Sequence, residues 1–292
     1  MRLLILGGGG MLGHKLWQTA ASRLDTWATL RDGGRGLPEG FDRNRIISGV
    51  SAEHFDSVVG AFAAFRPEVV VSCIGIVKQR TGAGDALASL TVNSVFPHRL
   101  KALCAATGAR LVHISTDCVF SGERGGYRES DDADASDLYG RTKYLGEVSG
   151  PGCLTLRTSI IGRELATSHG LVEWFLKQRG SAPGYTNARF SGVTTSELSR
   201  VIVSVIEQHP ALSGVYHVAA EPISKFELLS RFNDVLRRGL TIREDPSLRI
   251  DRSLDGSRFS AATAYAPPDW TSMLTELSRE VPIYDMWRSN AC

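Results

Sequence analysis

The chain has 292 residues, of which 42% are apolar and 22% are charged, and its formal net charge is +2 at pH 7. This ordinary globular composition leaves room for one large domain and a smaller partner. The near-neutral charge gives no reason to expect nucleic acid or a membrane surface as a partner. No window approaches the roughly 20 apolar residues of a membrane span, and the apolar run over residues 3–6 is too short for a signal peptide. A cytoplasmic location is therefore expected.

The cysteines argue against two classes of site. There are five, their spacing is wide, and no Cys-x-x-Cys pair occurs, so we expect neither a disulfide framework nor a zinc site. Plain buried or partly buried thiols are the ordinary interpretation. The cysteines are Cys73, Cys104, Cys118, Cys153 and Cys292. The acidic residues Glu129, Asp131 and Asp132 are typical of a solvated loop, so no metal site is predicted.

The first half of the chain alternates short apolar runs with helix-like stretches. Buried strands are predicted over residues 3–6, 27–30, 69–73, 111–114 and 154–156, and helices over residues 11–22, 56–65 and 95–107. This alternation predicts βαβ units and an α/β fold with a doubly wound, parallel, Rossmann-type sheet.

The pattern changes after about residue 160. An amphipathic helix is predicted over residues 196–208 and a buried strand over residues 215–218, and no flexible linker separates the halves. We therefore expect two interleaved domains. Residues 1–160 and about 192–220 form a dinucleotide-binding domain, and residues about 161–191 and 221–292 form a smaller C-terminal substrate-binding domain.

A glycine-rich turn follows the first predicted strand. Gly7, Gly10 and Gly13 form the pattern G-x-x-G-x-x-G at a strand-to-helix junction. Small residues let the backbone approach a pyrophosphate, and the start of the following helix favours an anion. The turn therefore predicts a dinucleotide site, although a glycine-rich turn without a ligand can have the same local sequence.

The end of the second predicted strand bears on the choice of nicotinamide. An acidic residue there binds the ribose hydroxyls of NAD, whereas a guanidinium matches the 2′-phosphate of NADP. Arg31 occupies this position, followed by Asp32 and Arg35. NADPH is favoured and NADH stays open through Asp32; the alternative is that both arginines are solvated loop charges.

Three polar residues predict the chemistry. Thr116 follows a predicted strand, at the carboxyl end that faces the ligand crevice. Tyr139 and Lys143 are four residues apart, so a helix places them on one face. A tyrosine can protonate the oxygen of a ketone that receives a hydride, and a neighbouring ammonium lowers the pKa of the phenol. The Thr116 hydroxyl can stabilise the developing oxyanion, and Lys143 can also hold the nicotinamide ribose.

These motifs, in this order, resemble the extended short-chain dehydrogenase/reductases and, more narrowly, the dTDP-4-dehydrorhamnose reductase family. The resemblance lies in residues 115–122, 127–131, 139–143, 146–147, 157–162, 192–195 and 214–217. It implies NAD(P)H-dependent reduction of the C4 ketone of a nucleotide-linked 4-keto-6-deoxysugar, with Thr116, Tyr139 and Lys143 as catalytic residues. The cofactor residues that it implies are Gly7, Gly10, Met11, Leu12, Gly13, Arg31, Cys73, Ile74, Gly75, Ser115, Tyr139, Lys143 and Arg157.

The chain departs from this family where substrate is contacted. Cys118 stands where these reductases usually have tyrosine, and residues 72–80 and 251–255 differ from the usual stretches. A nucleotide diphosphate is bound by cationic side chains. Each candidate side chain could instead be an ordinary solvated charge on the surface. The candidates are Lys78, Arg80, Arg189 and Arg252. Candidate aromatic walls, alternatively core residues, are Trp174, Phe175 and Phe190, while His98 and His217 are expected to be structural.

Two other functions stay open. One is an NAD-dependent epimerase or dehydratase of sugar nucleotides, against which Arg31 argues mildly. The other is a non-catalytic NADP-binding regulatory subunit resembling that of methionine adenosyltransferase, against which the intact trio of Thr116, Tyr139 and Lys143 argues. A homodimer is compatible with the sequence.

Overall fold

The computed structural model describes residues 1–34, 37–77 and 84–290. Within these residues the strands are β1 (Arg2–Leu6), β2 (Asp25–Leu30), β3 (Ile46–Ser48), β4 (Val69–Ser72), β5 (Arg110–Thr116), β6 (Cys153–Thr158), β7 (Ile160–Ile161), β8 (Ser181–Tyr185), β9 (Ala188–Phe190), β10 (Val193–Thr194), β11 (Gly214–His217), β12 (Ile223–Ser224), β13 (Thr241–Asp245) and β14 (Ile250–Asp251). The α-helices are α1 (Met11–Ala20), α2 (Phe55–Phe65), α3 (Ala86–Ser89), α4 (Phe96–Thr107), α5 (Leu138–Leu145), α6 (Leu171–Leu176), α7 (Thr195–Gln208), α8 (Lys225–Leu236), α9 (Ser257–Thr263) and α10 (Trp270–Asn290). A π-helix, Leu90–Val95, runs directly into α4.

Seven strands form one parallel sheet in the order β3-β2-β1-β4-β5-β6-β11. The apolar side chains of β1 and β4 are buried on both faces of the sheet, because helices cover both sides. Strands are added on one side of β1 up to β3 and then on the other side from β4. This reversal leaves a crevice outside the carboxyl ends of β1 and β4, and it confirms the predicted doubly wound Rossmann-type sheet.

The predicted strands and helices of the sheet region are all present, with boundaries within two residues of those expected. The pattern analysis missed β3, which has only three residues at the edge of the sheet. It also missed the π-helix Leu90–Val95, because the hydrophobic period of a helix does not distinguish i→i+5 from i→i+4 hydrogen bonding over so short a stretch.

The remaining strands lie outside the central sheet. β7 pairs with β10, β8 with β13, and β9 lies between β12 and β14. Helix α7 returns to pack against α1, after which β11 joins the edge of the central sheet beside β6. The boundaries of the two proposed domains stay a prediction. In the described ranges, no helix has both the length and the apolar character needed to cross a membrane.

Helix α5 lies in close backbone contact with two neighbours. A Cβ atom on Gly140 would lie 2.2 Å from Cys118 O, and a Cβ atom on Gly146, just after the helix, would lie 1.8 Å from Asn93 O. No side chain fits at such distances, so both positions require glycine for packing. These contacts set α5 against the short 3-10 helix Asp117–Val119, which follows β5, and against the π-helix.

Replacing Gly146 tests this close approach. Gly146 has a φ of −93°, which alanine adopts freely, so Gly146→Ala adds only a steric clash. We expect the free energy of unfolding to fall by about 1–3 kcal/mol, as in overpacked cores. Gly60→Ala is the control, because Gly60 lies inside α2 with nothing within 4 Å of its Cβ position and should gain roughly 0.5–1 kcal/mol. Urea unfolding measures both, and equal stability of the two variants would contradict the packing argument.

Candidate active site

The glycine-rich turn forms a concave backbone surface between β1 and α1. Gly7 has a φ of +86°, and a Cβ atom on Gly13 would lie 2.1 Å from Gly7 O, so both positions require glycine. Helix α1 follows Gly10 with no side-chain cap and no acidic residue in its first turn. Its first N–H groups, including those of Met11 and Leu12, and its positive dipole end are therefore available to an anion. This backbone fits a pyrophosphate.

His14 fixes the start of α1 from the side of the C-terminal helix. Its Nδ1 donates to Gly10 O at 2.7 Å, so its Nε2 accepts from the hydroxyl of Tyr284 on α10 at 2.6 Å. Burial lowers the pKa of His14 to about 4, so the neutral ring makes both bonds. The last helix of the chain thus holds the first residues of the turn's helix in place.

The three predicted catalytic residues meet at the carboxyl end of β5. Thr116 ends that strand, and Tyr139 and Lys143 lie on α5. The hydroxyls of Tyr139 and Thr116 share a hydrogen bond. Lys143 Nζ donates to Ile114 O at 2.8 Å. The trio therefore has its geometry before any ligand is added.

Burial shifts the proton equilibria of the trio. Burial raises the pKa of Tyr139, and the neighbouring Cys118 raises it further, against a hydrogen bond with Thr116 that lowers it. The sequence predicted that the Lys143 ammonium lowers this pKa, but the cost of an ionised phenol in a buried site dominates. Tyr139 is therefore protonated at neutral pH, which is the form that donates a proton. Burial lowers the pKa of Lys143 to about 8.

Asn93, in the π-helix Leu90–Val95, ties the loop after β4 to α5. Its Oδ1 accepts from Ile76 N at 2.9 Å, and its Nδ2 donates to Ile76 O at 3.1 Å and to Thr142 Oγ1 at 3.3 Å. Thr142 precedes Lys143, so Asn93 fixes both the loop and the turn of helix that carries the lysine. Pattern reasoning missed Asn93, whose only signal would have been a polar side chain inside an apolar helical stretch.

A buried ion pair lies beneath the trio. Glu147 accepts from Arg157 Nε at 2.8 Å, from Arg157 Nη2 at 2.7 Å and from Ser115 Oγ at 2.7 Å. Arg157 also donates to His217 Nε2 at 3.3 Å, and His217 Nδ1 donates to Tyr127 O at 3.1 Å. His217 is fully buried with both ring nitrogens hydrogen-bonded, as expected of a structural histidine, and burial lowers its pKa to about 4. The side chains of Ser115 and Arg157 are engaged here, and their predicted contacts with a cofactor stay a prediction.

The other predicted cofactor residues lie at the carboxyl edge of the sheet. Cys73, Ile74 and Gly75 follow β4, and a Cβ atom on Gly75 would lie 4.0 Å from Lys143 Nζ. Arg31 follows β2 and is exposed. Asp32 is also exposed, and its Oδ1 accepts from Gly34 N at 3.2 Å, so this carboxylate is used in a turn. Arg35 lies outside the described residues.

A cavity of about 510 Å³ lies next to the trio, because Asp117 and Cys118, which directly follow Thr116, line it. Most of its wall is apolar. Its charged residues are Asp117, Arg189, Lys225 and Arg252. The cavity therefore combines a predominantly apolar surface with a few polar groups, as small-molecule sites do.

Two of the predicted phosphate ligands line this cavity. Arg252 donates to Phe120 O at 2.8 Å and to Cys118 Sγ at 3.6 Å, whereas Arg189 is half exposed, 4.0 Å from Asp251. Lys78 and Arg80 lie outside the described residues. Of the candidate aromatic walls, Trp174 and Phe190 line the cavity, while Phe175 is buried in the core against Phe232. His98 bonds to Leu145 O at 2.8 Å, as expected of a structural histidine.

Lys225 is a charged residue of the cavity wall that the sequence gave no reason to choose. It is the first residue of α8, whose Ser224 cap accepts from Glu227 N at 3.1 Å. This capping pattern is visible in the sequence, but it predicts a helix start and not a site. In the described part of the chain, no group of His, Cys, Asp and Glu side chains could hold a metal ion, and no disulfide joins the cysteines.

Glu147→Ala tests the ion pair beneath the trio. The variant leaves the Arg157 guanidinium buried without its carboxylate, so we expect a loss of about 3–5 kcal/mol in the free energy of unfolding. Glu227→Ala is the matched control, because its ion pair with Arg231 on α8 is exposed and should contribute under about 1 kcal/mol. Urea unfolding compares the two variants, and a loss at Glu147 no larger than that of the control would count against a buried pair.

The sequence is similar to a known protein family and to several of its members. A family model described as the RmlD substrate binding domain matches residues 1–280. The dTDP-4-dehydrorhamnose reductase of Mycobacterium tuberculosis is 29% identical over 201 residues, which cover 62% of this chain and 60% of that protein. The corresponding reductase of Mycolicibacterium smegmatis is 26% identical and covers 94% of this chain and 84% of its own length.

Two further similarities concern the regulatory-subunit alternative and the fold. Methionine adenosyltransferase 2 subunit beta of Danio rerio is 26% identical, over 80% of this chain and 73% of that protein. The crystal structure of dTDP-4-dehydrorhamnose reductase from Bacillus anthracis in complex with NADP has a TM-score of 0.78 at 20% identity, covering 96% of this chain and 99% of that one. The last similarity supports the fold. With the family model extending over nearly the whole sequence, the chain belongs to the RmlD substrate binding domain family, as the resemblance to dTDP-4-dehydrorhamnose reductases predicted.

Proposed function

We propose that the protein is an NADPH-dependent reductase that acts on the C4 ketone of a nucleotide-linked 4-keto-6-deoxysugar. The observation that carries the proposal is the meeting of Thr116, Tyr139 and Lys143 at one sheet edge, between the glycine turn and the cavity of about 510 Å³. Relatives named dTDP-4-dehydrorhamnose reductase support the reaction type. The alignment with the M. tuberculosis reductase covers only 60% of that protein. The proposed activity therefore rests mainly on the residues of the candidate active site.

The residues present fit a dinucleotide. The turn from Gly7 to Gly13 would be blocked by any side chain at its last position, and it leaves the first N–H groups of α1 without a cap. These groups would hold the pyrophosphate. Arg31 would meet the 2′-phosphate of the adenosine ribose, with Cys73, Ile74 and Gly75 along the nicotinamide half. The B. anthracis reductase, which has a similar fold, was crystallised in complex with NADP, and this agrees with NADPH as the proposed cofactor.

NADPH, when bound, supplies a hydride to the ketone carbon. The protein must then neutralise the negative charge that develops on the ketone oxygen. The Tyr139 hydroxyl, kept protonated by burial, donates its proton to that oxygen. The Thr116 hydroxyl donates to Asp117 Oδ1 at 3.1 Å in this structure, and it would turn toward the ketone oxygen to act as a second hydrogen-bond donor. The Lys143 ammonium, one turn along α5, stabilises the tyrosinate left behind, while its bond to Ile114 O holds it in place.

The two alternatives differ in the fate of the cofactor. An epimerase or dehydratase returns its hydride to the same sugar and consumes no NADPH. The similarity to methionine adenosyltransferase 2 subunit beta is the reason to consider a regulatory subunit. A non-catalytic subunit does not require Thr116, Tyr139 and Lys143. The intact geometry of Thr116, Tyr139 and Lys143 favours an enzyme, and net consumption of NADPH separates a reductase from both alternatives.

NADPH oxidation, measured by near-ultraviolet absorbance, tests the proposal on a panel of nucleotide-linked 4-keto-6-deoxysugars, with NADH in parallel. We expect one or more members to be reduced, with NADPH preferred. Tyr139→Phe should lower kcat by at least about 100-fold, because general acid catalysis contributes factors of this order. Binding of NADPH, measured by fluorescence titration, should not change.

Tyr144→Phe is the matched control, because Tyr144 lies on the same helix and is 46% exposed. Its kcat should stay at the wild-type value. Wild-type turnover by Tyr139→Phe would overturn the assigned role, and no NADPH consumption across the panel by the wild-type protein would overturn the proposed function.

The Lys143 ammonium predicts a pH dependence. Its pKa is lowered to about 8, so the charged form that supports Tyr139 is present below pH 8 and is lost above it. We expect kcat/KM for NADPH, which reports on the free enzyme, to fall up to tenfold per pH unit above about pH 8. Rates from pH 6 to pH 10, corrected for the stability of NADPH, measure this. A constant kcat/KM up to pH 10 would contradict the prediction.

A further inference from the structure

Lys225 places an ammonium in the wall of the cavity that adjoins the trio. Its Nζ lies 3.4 Å from the centroid of the Phe190 ring, so the aromatic face supports the charge from one side. Among the described residues, Lys225 donates no hydrogen bond and forms no ion pair. It lines the cavity together with Asp117 and Cys118. A lysine in this position has hydrogen-bonding capacity that the protein does not use.

Asp117 lines the same cavity. It directly follows Thr116 and is 5% exposed, and its Oδ1 accepts from Thr116 Oγ1 at 3.1 Å. Asp117 and Lys225 interact electrostatically, but they are too far apart to form an ion pair. Arg252 in the same cavity also interacts electrostatically with Asp117, more strongly than Lys225 does, but its guanidinium is held by Phe120 O. Asp117 and Lys225, which are not in contact, leave room for a group that both donates and accepts a hydrogen bond.

We propose that Asp117 and Lys225 bind the C3 hydroxyl of the sugar between them, so that Lys225 determines specificity for substrates that keep this hydroxyl. The inference rests on the proposed function. The C3 hydroxyl donates to the Asp117 carboxylate and accepts from the Lys225 ammonium, and these charge-assisted bonds are stronger than neutral ones.

The chemistry of the substrate selects this hydroxyl. The Thr116–Tyr139 pair fixes the C4 oxygen, and Asp117 is the next residue after Thr116. In a 4-keto-6-deoxysugar, C4 is bonded to C3, which carries a hydroxyl, and to C5, which carries a methyl group. A phosphate or carboxylate between Asp117 and Lys225 would be repelled by the buried Asp117, whereas a hydroxyl satisfies both partners. The guanidinium of Arg252, held by Phe120 O, lies in the same cavity for the phosphates.

The test compares a nucleotide-linked 4-keto-6-deoxyhexose with its 3-deoxy analogue on the same nucleotide. For the wild-type enzyme with NADPH, we expect kcat/KM for the hydroxylated sugar to be about 10- to 100-fold higher, as for a lost hydrogen bond to a charged group. Lys225→Met keeps an unbranched stem over the Phe190 ring and removes the charge. In this variant we expect most of the preference to be lost, through a lower kcat/KM for the hydroxylated sugar and an unchanged value for the 3-deoxy sugar.

Lys177→Met, at an exposed lysine outside this cavity, is the control and should keep the wild-type ratio. If the wild-type enzyme has nearly equal kcat/KM values for the hydroxylated and 3-deoxy sugars, the inference is overturned. This result needs no variant, so the test does not depend on the folding of Lys225→Met. An equal loss for both sugars in Lys225→Met also overturns it, because the lysine would then act on a group that they share, such as the diphosphate. Absence of turnover with every ketosugar is the separate result that removes the proposed function and this inference with it.

Discussion

The close packing of α5 is the constraint on which the candidate active site depends. Gly140 and Gly146 allow the helix to touch the backbone of Cys118 and of Asn93, where any side chain would clash. This contact brings Tyr139 to Thr116 and lets Lys143 reach Ile114 O. Catalytic geometry has a tolerance well below the size of a methyl group, so the two glycines help to position the residues to which we assign the chemistry.

The same packing makes the site a place where charge is costly. Burial raises the pKa of Tyr139 and lowers the pKa of both Lys143 and Lys225 to about 8. Burial thus favours the neutral form of each group. The nearby carboxylates of Glu147 and Asp117 favour the charged forms of Lys143 and Lys225, respectively, and partly offset this effect. A general acid must begin protonated, and the cost of ionising Tyr139 in this buried site agrees with the acid role that we propose for it.

Support for the site comes from two separate parts of the chain. The sheet and α5 provide Thr116, Tyr139 and Lys143, and the buried pair of Glu147 and Arg157 beneath them holds the ends of β5 and β6 together. The cavity wall comes from the strands and helices after β6, including Phe190 on β9 and Lys225 at the start of α8. Chemistry can therefore be kept while the substrate side varies, which agrees with the departures at Cys118 and at residues 251–255.

The sequence by itself determined the parallel sheet, the glycine turn and the trio, because each is encoded locally. Apolar runs specify buried strands, the spacing of Gly7, Gly10 and Gly13 specifies the turn, and Tyr139 and Lys143 share a face by helical period. Only the tertiary structure decided which other residues join them. Asn93, in a π-helix, bonds to the turn of helix that carries Lys143, and Lys225 lines the same cavity as Asp117 although more than a hundred residues separate them in the chain. It also decided the sign of the Tyr139 pKa shift, because desolvation depends on everything packed around a group and not on its neighbours in sequence.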